Sequence, residues 1–279
     1  MYFDSKFTKF VLYLTKFLPL ILHMIKITFL GTGTSQGIPV IGSTHPVCLS
    51  ANSKDKRLRS SVLIETENLS FTIDCGPDFR QQMLKAECER LDGVLFTHEH
   101  ADHTAGIDDI RPYFFRQGDI PVFASARVIE SLKKRFGYIF NSENKYPGAP
   151  SVKVIEIDKR SSFQLDVLKI TPVEVMHNRL SVLGYRIGNF AYLTDVKTIA
   201  SEEMEKLNDL DVLVLNCLRI EPHPTHLNLE EALEIIDELK PKKTYFTHIS
   251  HYLGFHDEVE AKLPDNVFLA YDSLQVTSI

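Results

Sequence analysis

Three imidazoles and two carboxylates fall within six residues, His98-Glu99-His100-Ala101-Asp102-His103. Imidazole nitrogen and carboxylate oxygen are the ligands that borderline divalent metals such as zinc and manganese accept. With only 11 histidines in the chain, three in one short run point to a metal site rather than a polar loop. The run follows Gly93-Val94-Leu95-Phe96-Thr97, an apolar stretch that reads as a short buried strand. The expected geometry is therefore a rigid strand ending in a metal-binding loop.

The H-x-H-x-D-H spacing of this run resembles the signature of the metallo-β-lactamase superfamily. His177, Asp195 and His248 each follow a strand-like run, and match in order the three further ligands of that superfamily. Asp74, ending Ser70-Phe71-Thr72-Ile73, matches the acidic residue that supports the metal loop. The resemblance extends from about Met24 to the C-terminus. It implies an α+β fold, a four-layer αββα sandwich. It also implies two divalent ions, zinc or manganese, with His98, His100 and His177 on one, Asp102, His103 and His248 on the other, and Asp195 bridging. Such a pair generates a nucleophile from water near neutral pH and clamps substrate oxygens, so the implied activity is hydrolysis by a metal-bridging hydroxide, with Asp102 and Asp195 in the catalytic machinery.

Stepping outward, periodicity predicts strands near 25–30, 61–66, 70–74, 93–97, 121–124, 152–157, 167–176, 182–187, 189–194, 211–216, 243–247 and 267–271. Helical patterns fall near 77–87, 106–116, 126–136, 201–208, 228–239 and 256–263. Periodicity alone leaves α/β and α+β both open. The loop Gly31-Thr32-Gly33-Thr34-Ser35-Gln36-Gly37 misses the dinucleotide fingerprint and reads as a tight turn, so no nucleotide cofactor is expected.

Three features refine the expected function. Gly42-Ser43-Thr44-His45-Pro46-Val47-Cys48 resembles a structural zinc loop of PhnP-type phosphodiesterases, which implies a third, structural zinc on His45, Cys48 and His251. This chain departs from that pattern, with Ser43 and His45 where thiolates would stand. Next, Pro222-His223-Pro224-Thr225-His226-Leu227-Asn228 precedes a helix that Asn228 and Glu231 can cap as a capping box. In PhnP-type enzymes the histidine matching His226 meets the phosphate or the leaving group, whereas His223 reads as a solvent-exposed loop residue. Last, Lys54-Asp55-Lys56-Arg57-Leu58-Arg59-Ser60-Ser61 is a basic cluster that reads first as a solvated loop, and second as a phosphate-attracting rim. Arg219 is a similar, weaker candidate.

The Phe-Leu-Gly-Thr-Gly run from Phe29 to Gly33 also resembles tRNase Z. Only 17 residues separate His177 from Asp195, too few for a tRNA-gripping arm, and a net charge of -6 disfavours a polyanion. The function expected is thus cleavage of a small, cyclic phosphate diester. A tRNase Z-like nuclease, a thioester or lactam acyl hydrolase, and a non-catalytic metal-binding protein are the alternatives. The expected partner is a small phosphodiester, with no stable nucleic-acid partner and no membrane; a homodimer is left open.

Composition fits one globular enzyme: 44% hydrophobic and 24% charged residues support a full core. The four cysteines, Cys48, Cys75, Cys88 and Cys217, lack the spacing of a disulfide framework, which suggests the cytoplasm. Residues 1–23 form an apolar extension broken by Lys16 and Pro19, shorter than a bilayer span, and are expected to be a mis-assigned start ahead of Met24. Residues 24–279 are expected to form a single hydrolase domain.

Overall fold

The computed structural model describes residues 24–141 and 145–278. The apolar extension expected over residues 1–23 lies outside them. Fifteen strands are described: β1 Ile25–Gly31, β2 Ser61–Glu65, β3 Ser70–Ile73, β4 Gly93–Leu95, β5 Ile120–Ala124, β6 Val152–Glu156, β7 Phe163–Leu165, β8 Leu168–His177, β9 Leu180–Ile187, β10 Phe190–Leu193, β11 Thr198–Ile199, β12 Val212–Asn216, β13 Lys243–Thr247, β14 Val267–Leu269 and β15 Gln275–Ser278. They form two mixed sheets, ordered β15-β1-β2-β3-β4-β5-β6 and β11-β8-β9-β10-β12-β13-β14, with β7 paired to β8.

Side-chain alternation explains why the sheets stack. Along β10, Phe190 and Tyr192 enter the core between the sheets, while Ala191 and Leu193 face the opposite side. β12 repeats this, with Val212 and Val214 inward and Leu213 and Leu215 outward. From the other sheet Ile27, Phe29, Phe71, Ile73 and Leu95 meet them. Each outer face is apolar as well and needs its own cover. The helix Leu229–Leu239 covers one through Ala232, Ile236 and Leu239, and the helix Ala126–Arg135 covers the other through Val128, Ile129 and Leu132. The result is the αββα sandwich.

The topology also places the chemistry. β3, β4, β5 and β6 run parallel in one sheet, and β10, β12, β13 and β14 in the other. Their carboxyl ends share an edge, where loops can carry side chains without disturbing either core. Asp74 follows β3, His98 to His103 follow β4, Asp195 follows β10 and His248 follows β13.

Expected and observed elements differ in a few places. The helix expected over 106–116 is a 3-10 turn, Ile107–Ile110, leading into a helix, Arg111–Gln117, with Pro112 in its first turn. A short helix, Ala101–Thr104, lies inside the histidine run itself. Strands β7, β11 and β15 are too short or too polar to give a period-2 signal, and exist because β8 and β1 offer them an edge.

Close packing holds the metal loop to β3. Cys75 N–H donates to His103 O (2.8 Å), and Gly106 N–H donates to Cys75 O (2.9 Å). A methyl added at Gly76 would sit against the Asp102 carbonyl, far inside van der Waals contact. Gly76→Ala should therefore lower stability by about 1–3 kcal/mol through overpacking, measured by chemical denaturation. Gly137→Ala, where an added methyl meets nothing within 4 Å, is the control expected to stay within about 0.5 kcal/mol.

Candidate metal centre

Asp74, Asp195 and His248 all adopt left-handed backbone conformations, with φ of 66°, 57° and 54°. Each is the turn residue that ends a strand abruptly and sends its side chain into the gap between the sheets' edges. Such conformations cost of order 1–3 kcal/mol apiece and persist only where neighbours enforce them. The enforcement is visible. Asn216, wholly buried at the end of β12, accepts from Val196 N–H (2.6 Å) and donates to Val196 O (3.2 Å), pinning the Asp195 turn. His248 N–H donates to Ser60 Oγ (3.1 Å), and Ile249 N–H donates to Thr32 O (2.9 Å). The glycine-rich loop after β1 thus clamps the His248 turn.

Asp195 lies at the centre. Its Oδ1 is 3.1 Å from His226 Nε2 and 3.4 Å from His248 Nε2, while its Oδ2 is 3.2 Å from His103 Nε2 and accepts from Thr194 Oγ1 (2.7 Å). Asp102 Oδ2 is 3.1 Å from His103 Nε2 and 3.7 Å from His248 Nε2. The expected grouping of Asp102, His103 and His248 is met, their ligand atoms lying within 4.8 Å of one another. The other expected set, His98, His100 and His177, comes together as rings, with centroids 4.5, 5.4 and 6.1 Å apart. The tightest groups there are instead His98 with His103 and Asp195, and His177 with Asp195 and His226.

The outward ring nitrogens are held, which aims the inward ones. Asp74 Oδ2 faces His103 Nδ1 at 2.6 Å, and its carboxylate also accepts from Thr97 N–H (2.9 Å) and Thr97 Oγ1 (2.9 Å). Thr97 Oγ1 lies 3.0 Å from His98 Nδ1, and Thr225 O lies 2.8 Å from His177 Nδ1. Carboxylate and carbonyl partners on the far nitrogen fix the tautomer that leaves the near one free for a metal. His98 Nε2, His103 Nε2 and both His248 ring nitrogens are buried without a hydrogen-bond partner. Buried polar atoms are ordinarily satisfied, so this convergence of orphaned nitrogens fits divalent ions. His98, His103, His177, His248, Asp102 and Asp195, with His100 at the exposed edge, would hold them.

Electrostatics agree with a cation-binding site. Burial pushes the His98 imidazole well below its ordinary value, and His226 down to about 4. Burial alone would raise the Asp195 carboxyl, but His248 and His103 beside it hold it well below the usual carboxylate range. His103 behaves oppositely: burial would lower it, but Asp102, Asp195 and Asp74 raise it well above the imidazole norm. Metal binding to ligands of this kind displaces protons.

Other expectations fare differently. The Asn228–Glu231 capping box is present in both directions (3.0 Å each). His45 and His251 pack with ring centroids 4.8 Å apart, but His45 Nδ1 caps a short helix by accepting from Val47 N–H, and Val40 N–H reaches Cys48 Sγ (3.5 Å). Among the described residues, groups of three with ligand atoms within 4.8 Å do not include His45, Cys48 and His251. Much of the basic cluster is engaged by partners within the fold. Arg57 is buried against Thr32, Ala270 O and His256, Arg59 pairs with Asp78 (3.0 Å), and Lys56 donates to Cys48 O (3.0 Å). Arg219 donates to the carbonyls of Glu221 and Pro222, bracing the His226 loop. His223, read as a bare loop residue, lies 3.2 Å from His226 Nδ1. Sequence reasoning also missed Thr97, Asn216 and Thr225, whose partners are set by the fold. The four cysteines are free, Cys48, Cys75 and Cys217 buried and Cys88 half-buried. No helix among the described residues is long and apolar enough to cross a membrane.

Comparison with known proteins agrees with this geometry. Residues 70–249 match the beta-lactamase superfamily domain. A solved diphosphatase of the PhnP family is 39% identical, with 91% of this chain and 97% of that chain covered and a TM-score of 0.85. The short form of human tRNase Z shares the fold at 18% identity and a TM-score of 0.64, covering 90% and 98% of the two chains. An octanoyltransferase of Porphyromonas gingivalis is 41% identical over 88% of this chain, which spans only 50% of that longer protein.

Asp74→Ala should reduce metal affinity by about 10–100-fold, the usual effect of losing a histidine's orienting carboxylate, in a chelator-competition titration.

Proposed function

This chain belongs to the beta-lactamase superfamily as a metal-dependent hydrolase with a PhnP-family relative, and from that premise we propose that it cleaves phosphodiesters, a small cyclic phosphate diester above all, using two metal ions. The observation that carries the reading is His226. Its Nε2 stands 3.1 Å from Asp195 Oδ1, at the centre of the ligand cluster, on a ring stacked against His248 (5.0 Å, 14° between planes). A donor held there faces the oxygens of a substrate at the metals.

Two divalent ions, zinc or manganese, would supply a nucleophile from water and neutralise the negative charge of the diester. The protein's own groups do the rest. Asp195 lies within reach of His103 and His248 on one side and groups with His98 and with His177 on the other, and Asp74 and Thr97 orient ligands from behind. His226, uncharged at neutral pH, donates a hydrogen bond from Nε2 to the departing oxygen and stabilises the charge developing there. β9 and β10 fill the stretch between His177 and Asp195, which favours a small substrate over tRNA.

A third, structural zinc on His45, Cys48 and His251 has less support, since Cys48 Sγ and His45 Nδ1 already accept from backbone N–H groups. Acyl hydrolysis is the second reading. Its one favouring observation is the likeness to half of a protein called an octanoyltransferase.

Metal-reconstituted protein should hydrolyse bis(p-nitrophenyl) phosphate, and Asp195→Ala should abolish that turnover. Full loading with two metals but no diester hydrolysis, alongside cleavage of an octanoyl thioester, would establish the acyl reading instead. His226→Ala should retain its metal by elemental analysis and lose about 10²–10³-fold in kcat, the usual cost of removing one preorganised donor.

A further inference from the structure

We propose that Thr225 is a positioning residue that sets opposite tautomers on the two histidines flanking it, so that His177 offers the metal centre a lone pair while His226 offers it a hydrogen. The inference rests on the reading of His226 as a donor, and it concerns a residue that is not itself an expected ligand.

The argument follows from what each atom is able to do. A carbonyl oxygen only accepts, so the 2.8 Å contact between His177 Nδ1 and Thr225 O puts the hydrogen on Nδ1. The His177 Nε2 is then bare and available as a ligand. An ionised carboxylate also only accepts, so the 3.1 Å contact of His226 Nε2 with Asp195 Oδ1 puts the hydrogen of that ring on Nε2. A ring that carries its hydrogen on Nε2 accepts at Nδ1. The Thr225 hydroxyl, 2.8 Å away, is its nearest donor. His223 Nδ1 stands 3.2 Å from both His226 Nδ1 and the Thr225 hydroxyl, closing a small cluster on the same nitrogen.

Carbonyl and hydroxyl thus belong to one residue, and they call for opposite protonation of two rings whose centroids are only 4.5 Å apart. The loop is stiff enough for this task. Leu227 N–H donates to Val196 O (2.8 Å), Leu218 N–H donates to Leu227 O (3.0 Å), and Asn228 opens the capped helix directly behind. Without the hydroxyl, His226 loses the donor to Nδ1 and can carry its hydrogen there, presenting a lone pair where the substrate's departing oxygen needs a donor. His226 would then resemble a third ligand of the His177–Asp195–His226 group rather than a hydrogen-bond donor.

Thr225→Val removes the hydroxyl but keeps the backbone carbonyl and the side-chain shape, and Thr225→Ser keeps both. Two substrates separate positioning from general damage: bis(p-nitrophenyl) phosphate leaves a stabilised phenolate, whereas 2′,3′-cyclic AMP leaves an alkoxide that needs a donor. Thr225→Val should lose about tenfold more kcat on the cyclic substrate than on the nitrophenyl one, the rate equivalent of one ordinary hydrogen bond. Its metal content should equal that of the wild type, and Thr225→Ser should restore the ratio. Independently of turnover, nitrogen–proton correlation spectra of labelled, zinc-loaded protein should place the His226 hydrogen on Nε2 in the wild type and split it between nitrogens in Thr225→Val. Equal losses on both substrates, failure of serine to rescue, or a wild-type His226 bearing its hydrogen on Nδ1 would overturn the proposal. Absence of wild-type turnover on either diester would count against the phosphodiesterase reading, and the spectra would still decide the tautomer.

Discussion

Both oxygens of the Asp195 carboxylate are committed, one toward His226 and His248, the other toward His103 and Thr194, and the carboxylate is almost completely buried. A buried anion is costly unless cations or donors surround it, so this one group obliges three imidazoles from three other loops to converge on it. The imidazoles gathered there carry unpaired buried nitrogens in turn, which is costly for the same reason. Divalent cations at this point would meet both needs, pairing with the carboxylate and taking the free nitrogens. Everything else in the fold can be read as the scaffold that holds this unfavourable concentration of like groups together.

That scaffold works by rigidity at strand ends. Asp74, Asp195 and His248 sit in left-handed conformations within two residues of the ends of β3, β10 and β13, where parallel neighbours have already fixed the direction of the chain. Aspartate and histidine both tolerate this backbone region better than most residues, and the His248 turn is gripped by Ser60 and the glycine-rich loop. The apolar core between the sheets contributes indirectly. Tyr185, which packs there, donates from its hydroxyl to Phe96 O (2.6 Å), tying the strand before the histidine run to the opposite sheet.

Charge is used sparingly around the centre. Arg59 pairs with Asp78, Arg127 with Glu99 and Lys197 with Glu231. Arg57 is withdrawn into the interior, where burial pushes its guanidinium down to about 10 against the pull of Asp272, Asp55 and Glu260. Those cations are thus engaged by partners within the protein.

The histidine run, the strand-end positions of His177, Asp195 and His248, and the Asn228 capping box were legible in the chain because each is a local pattern: spacing within six residues, an apolar run before a polar residue, a cap three positions from its partner. Local patterns also located most strands, since alternation and apolar runs report burial directly. The partners of those residues were not legible. Arg57 reads as a surface charge until His256, 199 positions away, is folded against it, and β15 has no strand signal until β1 supplies its edge. Thr225 and His223 look like ordinary loop residues because their roles depend on His177 and on the Asp195–His226 contact, 48 and 31 positions apart. Composition and spacing decided which atoms could bind a metal. Tertiary structure decided which nitrogen of each ring points at it, because a tautomer is chosen by the partner on the far side of the ring, and only folding brings that partner there.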